Sequence, residues 1–244
     1  MIPLLQRFSA LAGVAVLAGG VALAEAGGAV ETPAAPGATP SADTLRVIPG
    51  ETVMGVVVQT TGFASRFAPD HFIHLPDPDL TLVLDPQRPQ EACFSGEFWV
   101  PDLVADDPEL RSRLDVRLQE LGLLDDDYDD MSDDDRADVR AAMLSEGQLN
   151  AAEYSTIRIE SVEVGEGDGD PFPWAGTVAL TVRGVTVEAP FQADLQEEGD
   201  RIRIEAFARF LTSDFGIEPY RAFMGAVRNN DEIALYLDLA AERR

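Results

Sequence analysis

Apolar and polar residues alternate along much of the second half of the chain. The alternation is clearest over residues 185–195, 201–210 and 233–239, where every second residue is apolar. In the first two of these segments, most of the residues in between are charged or polar. A period of two residues is typical of β-strands with one face in the core and the other in water. The second half of the chain is therefore predicted to form antiparallel sheet.

Shorter apolar segments elsewhere in the chain predict further strands. They are rich in β-branched and aromatic residues and are bounded by proline, glycine and acidic residues. These segments are residues 44–48, 52–61, 80–84, 92–100, 156–164 and 176–182. Eight to nine strands joined by short turns fit a closed barrel, which leaves no exposed sheet edge. We predict a mainly β fold, an antiparallel β-barrel of about eight strands that occupies residues 43–242.

Several positions predict local irregularities in these strands. The apolar residues change face near Ser161, which predicts a β-bulge there. Gly55 predicts a second bulge, and Gly96 predicts either a bulge or close packing. Residues 165–170, GEGDGD, predict a turn.

A helical insertion is predicted at residues 107–147. Asp107 followed by proline is a typical helix start, and Leu110, Leu114, Leu118 and Leu121 then lie on one face at helical spacing. Ser132, followed by three aspartates, predicts the N-cap of a second helix. Neither helix has enough apolar surface to fold alone, so we expect the pair to cover one end of the barrel.

The first 42 residues do not resemble a folded segment. Residues 1–26 combine an arginine, a short apolar stretch rich in alanine and glycine, and small-x-small sites that end near Ala24 and Ala26. This pattern is typical of a cleaved secretory signal peptide. Residues 27–42 are mostly Ala, Gly, Pro and Thr, which predicts a disordered linker. We therefore expect a periplasmic or secreted protein of the bacterial envelope, with no membrane span after cleavage.

The charge of the chain limits its partners. The net charge is −26, and all eighteen cationic residues are arginine. Such an acidic surface repels nucleic acid and anionic headgroups, which argues against both as partners. The single cysteine, Cys93, excludes an intramolecular disulfide and is predicted to be a small buried residue. Nothing in the sequence indicates an oligomeric state.

The C-terminal segment carries a motif in a distinctive order. A strand is followed by Thr212–Ile217 (TSDFGI), a connector, the pair Asp231-Glu232 and a final strand. This order resembles the C-terminal hairpin of the YceI-like family. Leu149–Ile159 (LNAAEYSTIRI) and Gly176–Val187 (GTVALTVRGVTV) resemble two further segments of that family, although Ser155 stands where the family usually has proline.

The resemblance to the YceI-like family implies both a fold and a function. Members of this family are exported proteins with a lipocalin-like antiparallel β-barrel that holds a long isoprenoid chain. We accordingly expect a non-enzymatic protein that binds an apolar or amphipathic lipid inside the barrel and needs no cofactor. The candidate ligand-binding residues are Val187, Ala189, Phe191, Ile204, Ala206, Ala208, Phe215, Leu235, Leu237 and His71.

The small inward residues leave two interpretations of the barrel interior open. An eight-stranded barrel is just wide enough for one slender ligand, and inward alanines leave room for it. Alternatively, neighbours such as Phe191 and Phe210 fill the barrel. The chain would then be an envelope structural or stress protein whose acidic surface binds a protein or cations.

The two histidines offer a weaker alternative. Asp70 beside His71, with Ser65 nearby, suggests a hydrolase, but the chain has no G-x-S-x-G nucleophile motif. His71 and His74 cannot easily bind one metal ion, because positions i and i+3 of a strand face opposite sides. We expect a structural or rim role for His71, with no catalytic residue and no metal site.

The acidic run at residues 125–135 suggests a calcium loop but does not fit one. Asp130 stands where an EF-hand requires glycine, and Arg136 stands where it requires a bidentate glutamate. The run is predicted to be a solvated acidic loop that leads into the second helix, with only weak cation binding.

Overall fold

A computed structural model of the chain describes residues 43–63, 68–85, 87–125 and 131–243. The predicted signal peptide, the predicted linker, Ser65 and residues 126–130 of the acidic run lie outside the described residues. Within the described ranges there are two α-helices and twelve β-strands. The helices are α1 (Pro108–Glu120) and α2 (Asp133–Leu144).

The twelve strands vary in length from two to sixteen residues. In chain order they are β1 (Asp43–Val47), β2 (Val53–Thr61), β3 (His71–Leu75), β4 (Leu80–Leu84), β5 (Cys93–Trp99), β6 (Val104–Ala105), β7 (Thr156–Gly169), β8 (Phe172–Val182), β9 (Val185–Glu198), β10 (Arg201–Leu211), β11 (Arg221–Ala222) and β12 (Val227–Glu242).

Eight of these strands close into an antiparallel barrel, as the sequence predicted. Their order is β1-β4-β5-β7-β8-β9-β10-β12, and β12 returns to β1 through the pairs Arg46–Glu242 and Val47–Ala241. Each neighbouring pair is antiparallel. Closure leaves no free edge along this circuit, which is the usual solution for a sheet of this size.

A three-strand extension widens the barrel wall at one end. One edge of β12 has two partners. Its C-terminal residues pair with β1, and the preceding residues, from Arg228 to Asp238, pair with β2. Strand β3 then pairs with β2, and β6 pairs with β3. The 16-residue length of β12 makes this possible, because one strand serves two partners on the same edge.

Helix α1 lies on the outer face of this wall rather than over an end of the barrel, which corrects the sequence expectation. Its buried residues Leu110, Leu114 and Leu118 pack with outward-facing residues of β2, β3 and β12. These partners are Val53, Val57, Phe72, Ala234 and Tyr236. Strand β2 is therefore covered on both faces, which explains why residues 53–58 are apolar and do not alternate with polar residues.

Both predicted helix starts are confirmed. The side chain of Asp107 accepts a hydrogen bond from the backbone N–H of Leu110 at 2.9 Å, and the Ser132 hydroxyl accepts one from the N–H of Asp135 at 3.2 Å. Each bond satisfies a backbone donor that the first turn of a helix leaves unpaired. Gly122, at φ +64°, follows the end of α1.

The local strand predictions have mixed outcomes. The bulge in β7 is confirmed by a register shift between Ser161 and Glu163. The turn predicted at residues 165–170 is shorter and begins later: β7 continues to Gly169 and pairs with β8 as an exposed ladder, and the chain turns at Asp170 and Pro171. Backbone hydrogen bonds stabilise a hairpin even where its side chains are small or acidic. The glycines and acidic residues of this segment therefore did not indicate where the strand ends.

The two strand glycines serve close packing. The pairing of β2 is regular through Gly55, so the predicted bulge is absent there. A Cβ at Gly55 would lie 2.5 Å from the ring of Phe72, and one at Gly96 would lie 2.6 Å from the ring of Phe98. Cys93, in contrast, is exposed and not buried as predicted.

Candidate ligand-binding site

Two adjoining, partly open cavities lie along the inner side of the barrel wall. One, of about 220 Å³, is bordered by Val139, Ala142 and Met143 of α2, and we call it the helix-side cavity. The other, of about 90 Å³, lies between the central strands, and we call it the barrel cavity. Met54 and Leu235 border both. The apolar interior therefore extends from the covering helix to the middle of the sheet, interrupted at these two side chains.

The barrel cavity is lined by apolar residues alone. Three alanines supply the space: Ala193, Ala206 and Ala208 lie on its wall beside larger residues of neighbouring strands. Ala206 is directly opposite Ala193 on β9 and Leu237 on β12, so small residues meet across the sheet. The other lining residues include Leu80, Leu82, Phe94, Ile159, Trp174, Phe191, Ile204 and Leu239.

The helix-side cavity is lined mainly by apolar residues, but several polar residues also contribute to its lining. Phe215 and Ile217, both buried, supply apolar surface together with β2, β3 and α2. The polar residues on its border are His71, Gln148, Thr212, Tyr220, Asn229 and Asn230. The two cavities together therefore form an amphipathic space, with polar groups confined to the helix side.

Eight of the ten predicted ligand-binding residues line these cavities. His71 and Phe215 border the helix-side cavity, and Leu235 borders both. The barrel cavity is lined by Phe191, Ile204, Ala206, Ala208 and Leu237.

The other two predicted residues, Val187 and Ala189, line neither cavity. Ala189 is buried in the packed core, and Val187 packs against that core. Both residues instead border a separate, more polar pocket, which they share with Arg209, Asp214 and Glu232.

The TSDFGI motif forms the turn that carries Phe215 into the cavity wall. Asp231 accepts hydrogen bonds from the Thr212 hydroxyl at 2.7 Å, the Ser213 N–H at 2.9 Å and the Ser213 hydroxyl at 2.6 Å. Hydrogen bonds from Ser213 and Thr212 lower the pKa of the Asp231 carboxyl. Gly216, at φ +72°, then ends the short 3-10 helix.

His71 is held by a carboxylate that sequence reasoning missed. Its Nδ1 lies 2.7 Å from Oδ2 of Asp106, which is fully buried. Oδ1 of Asp106 accepts hydrogen bonds from the backbone N–H of Phe72 and from Nη1 of Arg111, each at 2.8 Å. Burial alone would raise the pKa of Asp106, but the His71 hydrogen bond and charge, the Phe72 N–H and Arg111 lower it overall.

Arg111 belongs to the same buried network. It lies on α1, and its Nε donates to Asp115 one turn later at 2.7 Å, while Nη1 also donates to the backbone carbonyl of Asp70 at 3.0 Å. The i, i+4 spacing of Arg111 and Asp115 was the available sequence signal. Asp106 gave no such signal, because it follows the two-residue strand β6.

The proposed pairing of Asp70 with His71 is not what the structure shows. The Asp70 carboxylate accepts hydrogen bonds from the Thr60 N–H at 2.7 Å and from the Asp125 N–H at 3.2 Å. These bonds link β2 to the segment after α1, which is a structural role. The geometry therefore gives no support to a hydrolase dyad of Asp70 and His71.

His71 and His74 face opposite sides of β3, as predicted. His71 borders the helix-side cavity, whereas His74 stacks beside Phe72 with ring centroids 6.3 Å apart on the outer side. Among the described residues, no group of three or more His, Cys, Asp or Glu side chains could hold a metal ion. None of the described helices is long and apolar enough to cross a membrane.

Comparison with known proteins supports this fold. The family model described as the YceI-like domain matches residues 94–241. The crystal structure of BcnA from Burkholderia cenocepacia is similar over 80% of this chain and 98% of its own, with 11% identity and a TM-score of 0.55. At that identity, the similarity shows a shared fold.

Two further solved structures resemble the chain more distantly. A polyisoprenoid binding domain from Saccharophagus degradans, implicated in plant cell wall breakdown, has 11% identity and a TM-score of 0.44, over 84% of this chain and 99% of its own. The YceI protein of Campylobacter jejuni has 11% identity and a TM-score of 0.46, over 70% of this chain and 84% of its own. No curated protein sequence matches the chain.

Proposed function

This chain belongs to the YceI-like family, and from that membership and its two adjoining cavities we propose that it is an exported, non-enzymatic protein that holds a long isoprenoid-like lipid inside the barrel. The observation that carries the proposal is the apolar interior, which runs from the helix-side cavity past Met54 and Leu235 into the barrel cavity. A slender chain fits this shape better than a compact ligand does.

Burial of apolar surface is sufficient to hold such a ligand. Each CH₂ group transferred from water contributes about 0.8 kcal/mol, so a chain of many carbons needs no strong polar contact. The barrel cavity presents an entirely apolar wall to it. We propose that the tail occupies this cavity and that the polar end lies on the helix side, near His71 and Asn229.

The alternative of a filled barrel has less support. It requires the residues between Phe191 and Phe210 to leave no space, whereas Ala193, Ala206 and Ala208 line a cavity. Export is part of the proposal and rests on residues 1–26, whose composition is that of a signal peptide.

Extraction of the purified protein tests the proposed function. Protein isolated from the envelope fraction would be unfolded in organic solvent, and the extract would be analysed by mass spectrometry. We expect an isoprenoid lipid near one molecule per chain, absent from an identical extract of buffer. Protein that yields no lipid and also fails to bind added geranylgeraniol would refute the carrier role and favour the filled barrel.

A further inference from the structure

One polar side chain of the helix-side cavity is positioned far more rigidly than a rim residue needs to be. His71 borders the cavity, and its Nδ1 is bound to Asp106 at 2.7 Å. The Asp106 side chain is inaccessible to solvent, whereas 17% of the His71 side chain is accessible. The imidazole is therefore anchored from behind while part of it remains open.

The anchor is itself fixed from three elements. Asp106 accepts hydrogen bonds from the backbone N–H of Phe72 on β3 and from Nη1 of Arg111 on α1. Asp106 itself directly follows β6, and its φ is +49°. A non-glycine residue in this left-handed conformation is uncommon, and strain of this kind is often retained at functional positions. The network thus holds the ring of His71 in one orientation.

The hydrogen bond to Asp106 decides which nitrogen of His71 is available. A carboxylate only accepts, so the proton of the neutral imidazole resides on Nδ1. Nε2 then carries a lone pair, and it has no hydrogen-bond partner among the residues that the structure describes. It accepts a hydrogen bond when the ring is neutral and donates one when the ring is protonated.

We propose that Nε2 of His71 binds the hydroxyl group of a long-chain isoprenoid alcohol. This inference rests on the proposed function and specifies the head of the lipid. A hydroxyl both donates and accepts, so it matches Nε2 in either protonation state of His71. A fully ionised phosphate only accepts hydrogen bonds, so it would match only the protonated ring.

The charges around the network oppose an anionic head. The Asp106 and Asp115 carboxylates are buried on either side of the Arg111 guanidinium, which also donates to the backbone carbonyl of Asp70. The chain as a whole has a net charge of −26. A phosphate placed beside His71 would face this negative excess, whereas an uncharged hydroxyl would not.

Binding of three matched ligands tests the proposal. Geranylgeraniol, its methyl ether and geranylgeranyl monophosphate share one tail, and binding can be followed by fluorescence of Trp174, which lines the barrel cavity. We expect the alcohol to bind about three- to tenfold more tightly than the ether, which corresponds to one hydrogen bond. The phosphate should bind more weakly than the alcohol.

Two substitutions of His71 distinguish the role of Nε2 from that of the hydrogen bond between Nδ1 and Asp106. In His71→Asn, the amide NH₂ can still donate to Asp106 but nothing replaces Nε2, so the alcohol and the ether should bind equally. In His71→Gln, the longer amide reaches the position of Nε2, so part of the preference for the alcohol should return. His74→Asn, on the opposite face of β3, is the matched control and should keep the full preference. Thermal unfolding would verify that each variant is folded.

The outcomes distinguish this proposal from the proposed function. If the parent protein binds the alcohol and the ether equally, or binds the phosphate most tightly, the hydroxyl proposal is refuted while the carrier role stands. Full preference for the alcohol in folded His71→Asn also refutes it. If none of the three ligands binds, the carrier role itself fails, and the hydroxyl proposal fails with it.

Discussion

The carboxylate of Asp231 binds Ser213 through both its backbone N–H and its hydroxyl, at 2.9 and 2.6 Å. This pair gives a physical reason for the order of the C-terminal motif. The start of β12 holds the turn after β10, and that turn places Phe215 and Ile217 in the wall of the helix-side cavity. A motif that reads as two separate short segments is therefore one hydrogen-bonded unit.

Removal of this carboxylate should loosen the turn. We expect Asp231→Ala to lower the free energy of unfolding by about 1 kcal/mol, because the Ser213 and Thr212 donors lose their acceptor. Glu232→Ala is the matched control. It removes an exposed ion pair with Arg209 and should cost less than about 1 kcal/mol. Equal denaturant midpoints for Asp231→Ala and the parent would contradict this account.

Filling the barrel cavity should displace the ligand. Ala206→Trp places a large ring in a cavity of about 90 Å³, so we expect loss of copurifying lipid and at least tenfold weaker binding of geranylgeraniol. Overpacking costs about 1–3 kcal/mol, so circular dichroism must show that the variant is folded. Gln192→Trp, which points outward beside Phe207 on the next strand, should leave binding unchanged. Undiminished binding by folded Ala206→Trp would argue against the barrel cavity as the tail site.

Met54 should control how far a ligand chain reaches. Its side chain borders both cavities, so Met54→Ala should join them and increase the affinity for longer isoprenoid alcohols relative to shorter ones. The same substitution should destabilise the protein by about 2–5 kcal/mol, because Met54 is buried. Met54→Leu keeps the volume and should change neither property much. An unchanged length preference in Met54→Ala would show that the two cavities act separately.

His74 should make stability depend on pH in the weakly acidic range. Burial lowers its pKa below 6.5, although Asp107, Asp106 and the Val104 carbonyl oppose this shift. The unfolded chain therefore binds a proton at a higher pH than the folded protein does, and stability falls as the pH drops below 6.5. His74→Leu should remove this part of the slope, measured by urea unfolding between about pH 7 and pH 5. Both proteins retain His71, so the difference between the two slopes isolates His74.

The contribution of Asp106 to stability should change with pH only at lower pH values than that of His74. Its folded pKa is below the ordinary 3.8, so its stabilising contribution is complete above that value and is lost as the pH falls through the folded pKa.

An unchanged slope in His74→Leu above pH 5 would mean that His74 is not the group responsible for the pH dependence in the weakly acidic range.

Export predicts a specific N-terminus. We expect cleavage between Ala24 and Gly27, because two small-x-small sites end there. N-terminal sequencing of protein from the envelope fraction would show it. Mature protein that still begins at Met1 would refute both the signal peptide and the proposed periplasmic or secreted location.

The sequence by itself determined the barrel strands, the helix caps and part of the cavity wall. The alternation over residues 201–210 placed Ala206 and Ala208 on the inward face, and the caps Asp107 and Ser132 marked both helix starts. These features are local. They depend on the period of a strand or on hydrogen bonds within four residues, so they can be read without knowledge of the partners.

Only the tertiary structure decided which inward residues border empty space and which polar groups meet. Ala189 and Ala206 have the same pattern in the sequence, but Ala189 is covered in the packed core while Ala206 lines the barrel cavity. His71 and Asp106 are 35 residues apart and meet because β6 pairs with β3. Strand order and packing volume arise from contacts between distant segments, and a residue pattern specifies a face but neither its neighbour nor the space left beside it.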